Sequence, residues 1–337
     1  MSKIIAGVDI GGTKCSVCLG QAAGDTVEVL DKVRFPTPPT PGEALQSILT
    51  GLDELLARHS SACLAAIGIS CGGPLDSRAG LILSPPNLPG WDEIDVLSPL
   101  RQRFGVPAAL QNDANAGALA EWKWGAGRSS AGYGGSEYGG AESGVKSMIF
   151  LTFGTGMGAG LILDGRLYSG ANDLAGEAGH VRLEHDGPLG YGKPGSFEGF
   201  CSGGGIARLA ASMAQDALEA GCAPAYCPTP FDLESITAES VGAAAQAGDQ
   251  TARKVFDLVG RQLGRGLALL VDILNPELIV IGGIYGRQMN LLEAPTLQSL
   301  QAEALPRALS VCRILPAALG EAIGDLASLA VGMEVSG

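Results

Sequence analysis

Positive charge is scarce in this chain, with 22 Lys and Arg against 35 Asp and Glu and a formal net charge of -13. Such a balance repels phosphate backbones and anionic lipid unless a local basic patch overrides it. No basic run occurs, so neither nucleic acid nor a membrane surface is an expected partner. Long apolar runs are missing too. The start MSKIIAGVDIGG meets Asp9 almost at once, without a membrane-length stretch or a small-residue cleavage site, and a cytoplasmic protein is expected. A disulfide framework is also lacking. The eight cysteines lie scattered at 15, 18, 63, 71, 201, 222, 227 and 312, which suits reduced thiols. Cys15 and Cys18 form a C-x-x-C, but three residues apart on a strand they face opposite sides, which argues against a redox or metal pair.

Apolar residues and glycine are what the chain has in quantity. At 46% hydrophobic and 17% charged, 337 residues form globular cores, about two domains' worth. The 51 glycines are about twice average usage and are clustered without period, which excludes collagen and points to turns that need glycine geometry. Residues 3–10, 15–20 and 26–34 read as successive strands, the first two joined by Gly11-Gly12-Thr13. Helical spacing over 42–59 is followed by strands at 64–70 and 106–111, so strand and helix alternate as in an α/β layer. Residues 114–124 have helical composition and place Asp113 at a strand-to-helix junction. The Gly- and Ser-rich 125–144 stretch reads as a mobile surface loop, either a lid or an insertion, with insertion favoured. A second glycine-turned hairpin over 147–165, helices over 204–220, 238–247 and 252–274, and a buried strand at 276–283 complete the pattern.

The two hairpins VDIGGTK (8–14) and FGTGMGAG (153–160) share one design: a strand enters, glycines and a threonine turn, and a strand leaves. Turns without Cβ atoms let main-chain N–H groups converge on a polyphosphate, and threonine hydroxyls add donors. Ligand-free hairpin turns are the alternative, which the repetition and a third pair, Gly282-Gly283, disfavour. GPLGYGKP (187–194) imitates a P-loop but puts Pro194 where magnesium needs a hydroxyl. The glycine run after Phe153 leads into a strand, not the helix of a dinucleotide fold.

DIGGTK, LTFGTGMGAG and PELIVIGG resemble the two phosphate segments and the adenosine segment of the superfamily that joins sugar kinases, heat-shock chaperones and actin. Within it, QNDANAGALAEW (111–122), PNLPGW (86–91), GEAGH (176–180) and Glu198 are similar to the ROK family of sugar kinases and repressors, over almost the whole chain. The resemblance implies an α/β, two-lobed actin-like (ribonuclease H-like) ATPase fold with an interlobe cleft. Its small lobe would be 1–113 rejoined by 322–335, and its large lobe 114–320. The repressors carry a winged helix-turn-helix before the first phosphate segment; here DIGGTK begins at residue 9, so no DNA-binding domain is expected. The implied activity is ATP-dependent phosphorylation of a hexose hydroxyl, glucose foremost, with N-acetylglucosamine or N-acetylmannosamine next. A sugar-sensing regulator without catalysis is the rival from another class, and retention of Asp113, Asp9 and both turns speaks against it.

Residue by residue, the resemblance makes Asp113 the general base, although an Asp there also suits a helix cap. Asn87, Asn112, Glu177, His180 and Glu198 would bind sugar hydroxyls. Gly11, Gly12, Thr13, Lys14, Gly154, Thr155, Gly156, Gly282 and Gly283 would line the ATP site, with Lys14 equally readable as a surface charge. Asp9 would stand near Mg2+ through water, or else bond the following glycine amides. The implied assembly is a homodimer. Where the family commonly shows C-x-C-G-x-x-G-C-x-E, this chain has Leu189, Tyr191 and Ser196 at the thiolate positions. No zinc site is expected: His180 alone cannot close a tetrahedral set, and His185 with Cys201 is a poor substitute. Packing of Tyr191 and Phe197 is the expected brace for Glu198 instead.

Overall fold

The computed structural model describes residues 2–23, 26–129 and 144–336. In chain order its long elements are β1 (Lys3–Ile10), β2 (Lys14–Ala23), β3 (Thr26–Pro36), α1 (Pro41–Arg58), β4 (Cys63–Cys71), β5 (Ala108–Asn112) and α2 (Asp113–Trp124). There follow β6 (Met148–Phe153), β7 (Met157–Leu163), α3 (Gly203–Glu219), α4 (Gln250–Leu274), β8 (Leu278–Ile281), α5 (Met289–Glu303), β9 (Arg313–Pro316) and α6 (Ile323–Met333). They form two compact units. The first comprises Met1–Lys146, Gly160–Ala175 and Ala318–Gly337, the second Ser147–Ala159 and Gly176–Ala317.

In the first unit the strands order β3-β2-β1-β4-β5. The first three form an antiparallel meander, and β4 and β5 run parallel to β1. One face of the sheet buries Ile4, Val8, Ile10, Val17 and Leu19 against Ile48, Leu52 and Leu55 of α1. Thr40 caps α1 by accepting the Glu43 N–H, and Pro41 opens it where a missing donor does no harm. On the other face lie α2 and α6. Both bury small residues almost all round, so α2 shows no amphipathic stripe, and Gly7, Gly68 and Gly332 let α6 approach the strands closely. Cys15 and Cys18 do face opposite sides, the first in the α1 core and the second against α6. Fully buried Glu121 ties the end of α2 to the chain entering α6, accepting N–H bonds from Ala126, Ala318 and Leu319. The residues 114–129 thus pack in the unit of β1 to β5, whereas the boundary anticipated at 113 placed them with the later chain. Of the supposed loop 125–144, Ala126–Ser129 is a helical turn with Ala126 buried, and 130–143 lie outside the described residues.

The second unit has strand order β7-β6-β8-β9, with β6, β8 and β9 parallel. β7 begins here and ends in the first unit, where it pairs with Arg166–Leu167. The stripe Val255, Phe256, Val259, Leu263, Leu267 and Val271 of α4 is buried as its period requires. α5 has no sequence signature, because Pro295 sits inside it and its apolar residues lack a period. It forms against α4, where Gly260 and Gly264 leave room for Pro295 and the Thr296 carbonyl; a Cβ at Gly264 would stand 2.3 Å from that oxygen. No helix among the described residues is long and apolar enough to cross a membrane.

Candidate active site

Strand register assembles one set of residues in the first unit. Asp9 pairs with Ser70, Ile10 with Cys71, and Cys71 with Asn112, so the carboxyl ends of β1, β4 and β5 lie side by side. Open α/β sheets bind ligands at that end of their parallel strands. Asn112 caps α2, its Oδ1 accepting the Asn115 N–H at 2.7 Å, which leaves its NH2 group for other partners. Asp113 is therefore not the cap. It opens the helix, accepts the Ala114 N–H at 2.8 Å, and keeps part of its carboxylate open to water. Crowding by protein raises its pKa above the ordinary 3.8, against the pull of the Ala114 and Asp113 amides. Asp9 is pushed up to about 6, first by burial and then by the charges of Asp113 and Asp325, with Lys14 and Arg34 opposing. The first glycine turn adjoins this carboxylate cluster. Gly12 has no space for a side chain, since a Cβ would lie 2.4 Å from the Asn87 carbonyl oxygen. Buried Leu88 and Trp91 anchor the 84–92 loop and leave Asn87, like Thr13 and Lys14, exposed.

The second unit gathers the remaining residues around the turn between β6 and β7. Glu198 Oε2 accepts the Met157 N–H at 3.1 Å and would stand 2.9 Å from a Cβ on Gly156. Gly179 fits between the Met157 carbonyl and Glu198, so the 176–180 segment, with Glu177 and His180 exposed, runs beside the turn. Gly283 has φ 64° and brings β8's end against the Phe153 carbonyl, where a Cβ would be 2.1 Å away. The Gly154 carbonyl accepts the Gly203 N–H at 2.7 Å, and Thr155 is exposed.

Three of the glycine amides expected to face phosphate are spoken for: Gly11 donates to the Lys14 carbonyl, Gly154 to Gly156 and Gly282 to Leu151. At Gly11 the absent Cβ also gives room to the Lys14 carbonyl, from which a Cβ would stand 2.9 Å away. The proposed brace also needs correction. Phe197 is buried, its ring against Gly266 of α4, but Tyr191 is 71% exposed, its ring edge-on to that of His180 at 6.2 Å. His185 is exposed and pairs with Asp186, while Cys201 is fully buried. Sequence reasoning missed two features. One is Ser202-Gly203-Gly204-Gly205, a cap followed by glycines that starts α3 against the second turn. The other is Asp325, a carboxylate in an apolar helix, paired with Lys32 at 2.9 Å and accepting the Ser16 hydroxyl.

The profile of the ROK family matches residues 5–331. A glucokinase of Halalkalibacterium halodurans is 34% identical over 325 residues, covering 94% of this chain and 91% of that one. An N-acetylmannosamine kinase of Escherichia coli is 31% identical over 283 residues, covering 83% of this chain and 82% of its own. A ROK family glucokinase from Streptomyces griseus, solved with glucose and AMPPNP, superposes with a TM-score of 0.73 at 26% identity, covering 98% of this chain and 99% of that one.

Proposed function

The chain belongs to the ROK family, and we propose that its reaction is transfer of the terminal phosphate of ATP to a hexose hydroxyl, glucose being the first substrate to test. It is a sugar kinase of the two-lobed actin-like fold. The observation that carries the mechanistic reading is Asp113, a carboxylate with raised pKa at the carboxyl ends of parallel strands, beside the first glycine turn. A sugar hydroxyl is a weak nucleophile until a base accepts its proton, and a carboxylate whose pKa is raised toward the working pH accepts it better. Asn87, the NH2 of Asn112, Glu177, His180 and Glu198 would hold sugar hydroxyls. Thr13 and Lys14, and Thr155 with its turn, would contact the nucleotide phosphates. Gly11, Gly12, Gly154, Gly156, Gly282 and Gly283 give the turns their shape.

Asp9 would hold Mg2+ through water. The fit is electrostatic: Asp113 and Asp325 both repel the buried carboxylate of Asp9, and a cation beside it would relieve that repulsion. The ion would neutralise the charge of the phosphates being separated. Cytoplasmic location and a homodimer complete the proposal, supported by the family resemblance.

The test is ADP release from ATP and magnesium over a panel of glucose, mannose, N-acetylglucosamine and N-acetylmannosamine, repeated with polyphosphate as donor. Turnover of at least one hexose, reduced on the order of 10²–10⁴ in Asp113→Asn, is expected. Sugar binding without turnover in any combination would refute catalysis and favour the sensing role.

A further inference from the structure

The chain from His180 to Glu198 carries two of the proposed sugar-binding side chains, yet little regular structure holds it. Its strands are the two-residue pair Leu189–Gly190 and Lys193–Pro194, with one isolated bridge between Arg182 and Ser196. Tyr191, Gly192 and Gly195 have φ of 45°, 75° and 67°. Val181, Leu189 and Tyr191 are exposed, so burial contributes little along most of its length. Pairings of two residues do not sustain themselves in water. Leu189, Tyr191 and Ser196 supply no thiolate for a metal clip.

Three cationic side chains meet the main-chain carbonyls instead. Arg182 Nη1 donates to the Pro194 carbonyl at 2.9 Å and the His185 carbonyl at 3.2 Å. Lys193 Nζ reaches back to the His180 carbonyl at 2.7 Å, and Arg208 Nη2, from α3, donates to the Leu189 carbonyl at 2.6 Å. We propose that Arg182, Lys193 and Arg208 form a main-chain brace that positions His180 and Glu198, a role that rests on the sugar-kinase reading above.

The geometry gives each cation a distinct task. Arg182 closes the segment on itself by joining carbonyls nine residues apart in sequence. Lys193 fixes the carbonyl of His180. Arg208 ties the hairpin to α3, a helix capped by Ser202 and packed through Ile206, Leu209 and Ala210. Donors that carry charge make the stronger class of hydrogen bond, and carbonyls left without them would turn to water and release the chain. The brace reaches Glu198 by short covalent and hydrogen-bonded steps. Gly195 donates to the Pro188 carbonyl, Ser196 accepts the Gly199 N–H at 3.0 Å, and Glu198 between them contacts Met157. None of the three cations is placed on substrate, so they are positioning residues.

Arg208→Ala and the double variant Arg182→Ala/Arg208→Ala test this, with Arg208→Lys as the conservative control. Amide hydrogen exchange across 180–198 is expected to quicken about tenfold, with α4 unchanged, because only local opening is eased. The glucose KM should rise roughly three- to tenfold while kcat stays within about twofold, and Arg208→Lys should recover most of both. Parental exchange rates in the double variant would overturn the brace. Faster exchange with an unaltered KM would overturn the positioning role. A parent protein that turns over no hexose would sink the kinase reading, and exchange alone would then decide whether the brace exists.

Discussion

Asp9 should make the protein less stable the more it ionises. Its carboxyl is pushed from 3.8 up to about 6 by burial and by Asp113 and Asp325. An acid whose pKa is raised by folding binds more protons in the folded state than in the unfolded one between those two values. Stability from this group therefore falls as pH rises through the window and stays reduced above it. A gap of about 2.2 pH units at 1.36 kcal/mol each is about 3 kcal/mol, an upper figure since part of the carboxylate touches water. Asp9→Asn removes the charge at constant size. Without divalent ions, the variant should exceed the parent by roughly 1–3 kcal/mol at pH 8, and the difference should close toward pH 4. Urea unfolding followed by tryptophan fluorescence suits the measurement, because Trp91, Trp122 and Trp124 all lie in the first unit with Asp9. A gain of equal size at pH 4 and pH 8 would refute the electrostatic account, and a loss at pH 8 would mean that the ionised carboxylate is net stabilising. Added Mg2+ should narrow the gap by stabilising the parent.

Asp113→Asn should fold normally and bind sugar while kcat drops on the order of 10²–10⁴, and turnover within about threefold of the parent would remove Asp113 as the base. Since a base must be ionised, the parental rate should fall as pH drops through the Asp113 pKa, above the ordinary carboxylate range; a pH–rate profile flat to pH 4 contradicts this. Phe197→Ala opens a cavity against Gly266 and should destabilise by about 3–5 kcal/mol in thermal or denaturant unfolding. Elemental analysis should find no stoichiometric zinc, and a zinc-selective chelator with magnesium restored should leave activity intact; one zinc per chain would reopen the search around His180, His185 and Cys201.

Local rules sufficed for the sequence to determine much of this protein. The first meander, α1 and α4 follow from apolar period and turn residues, and the glycine turns were legible as clustered glycines, of which Gly12 and Gly283 sit where a Cβ has no space. The ordered motifs carried the family resemblance, and with it the proposal of Asp113 as general base and of a sugar-binding set. Tertiary structure decided what depends on distant neighbours. α5 exists because Gly260 and Gly264 admit a helix that Pro295 would otherwise discourage. Asp113 was freed from capping because Asn112 took that bond, a choice between adjacent residues that spacing leaves open. Asp9 owes its raised pKa in part to Asp325, more than 300 residues away in sequence. The grip of Arg182, Lys193 and Arg208 was likewise invisible beforehand, because a main-chain carbonyl leaves no mark in the residue code, and only the folded path shows which cation reaches it.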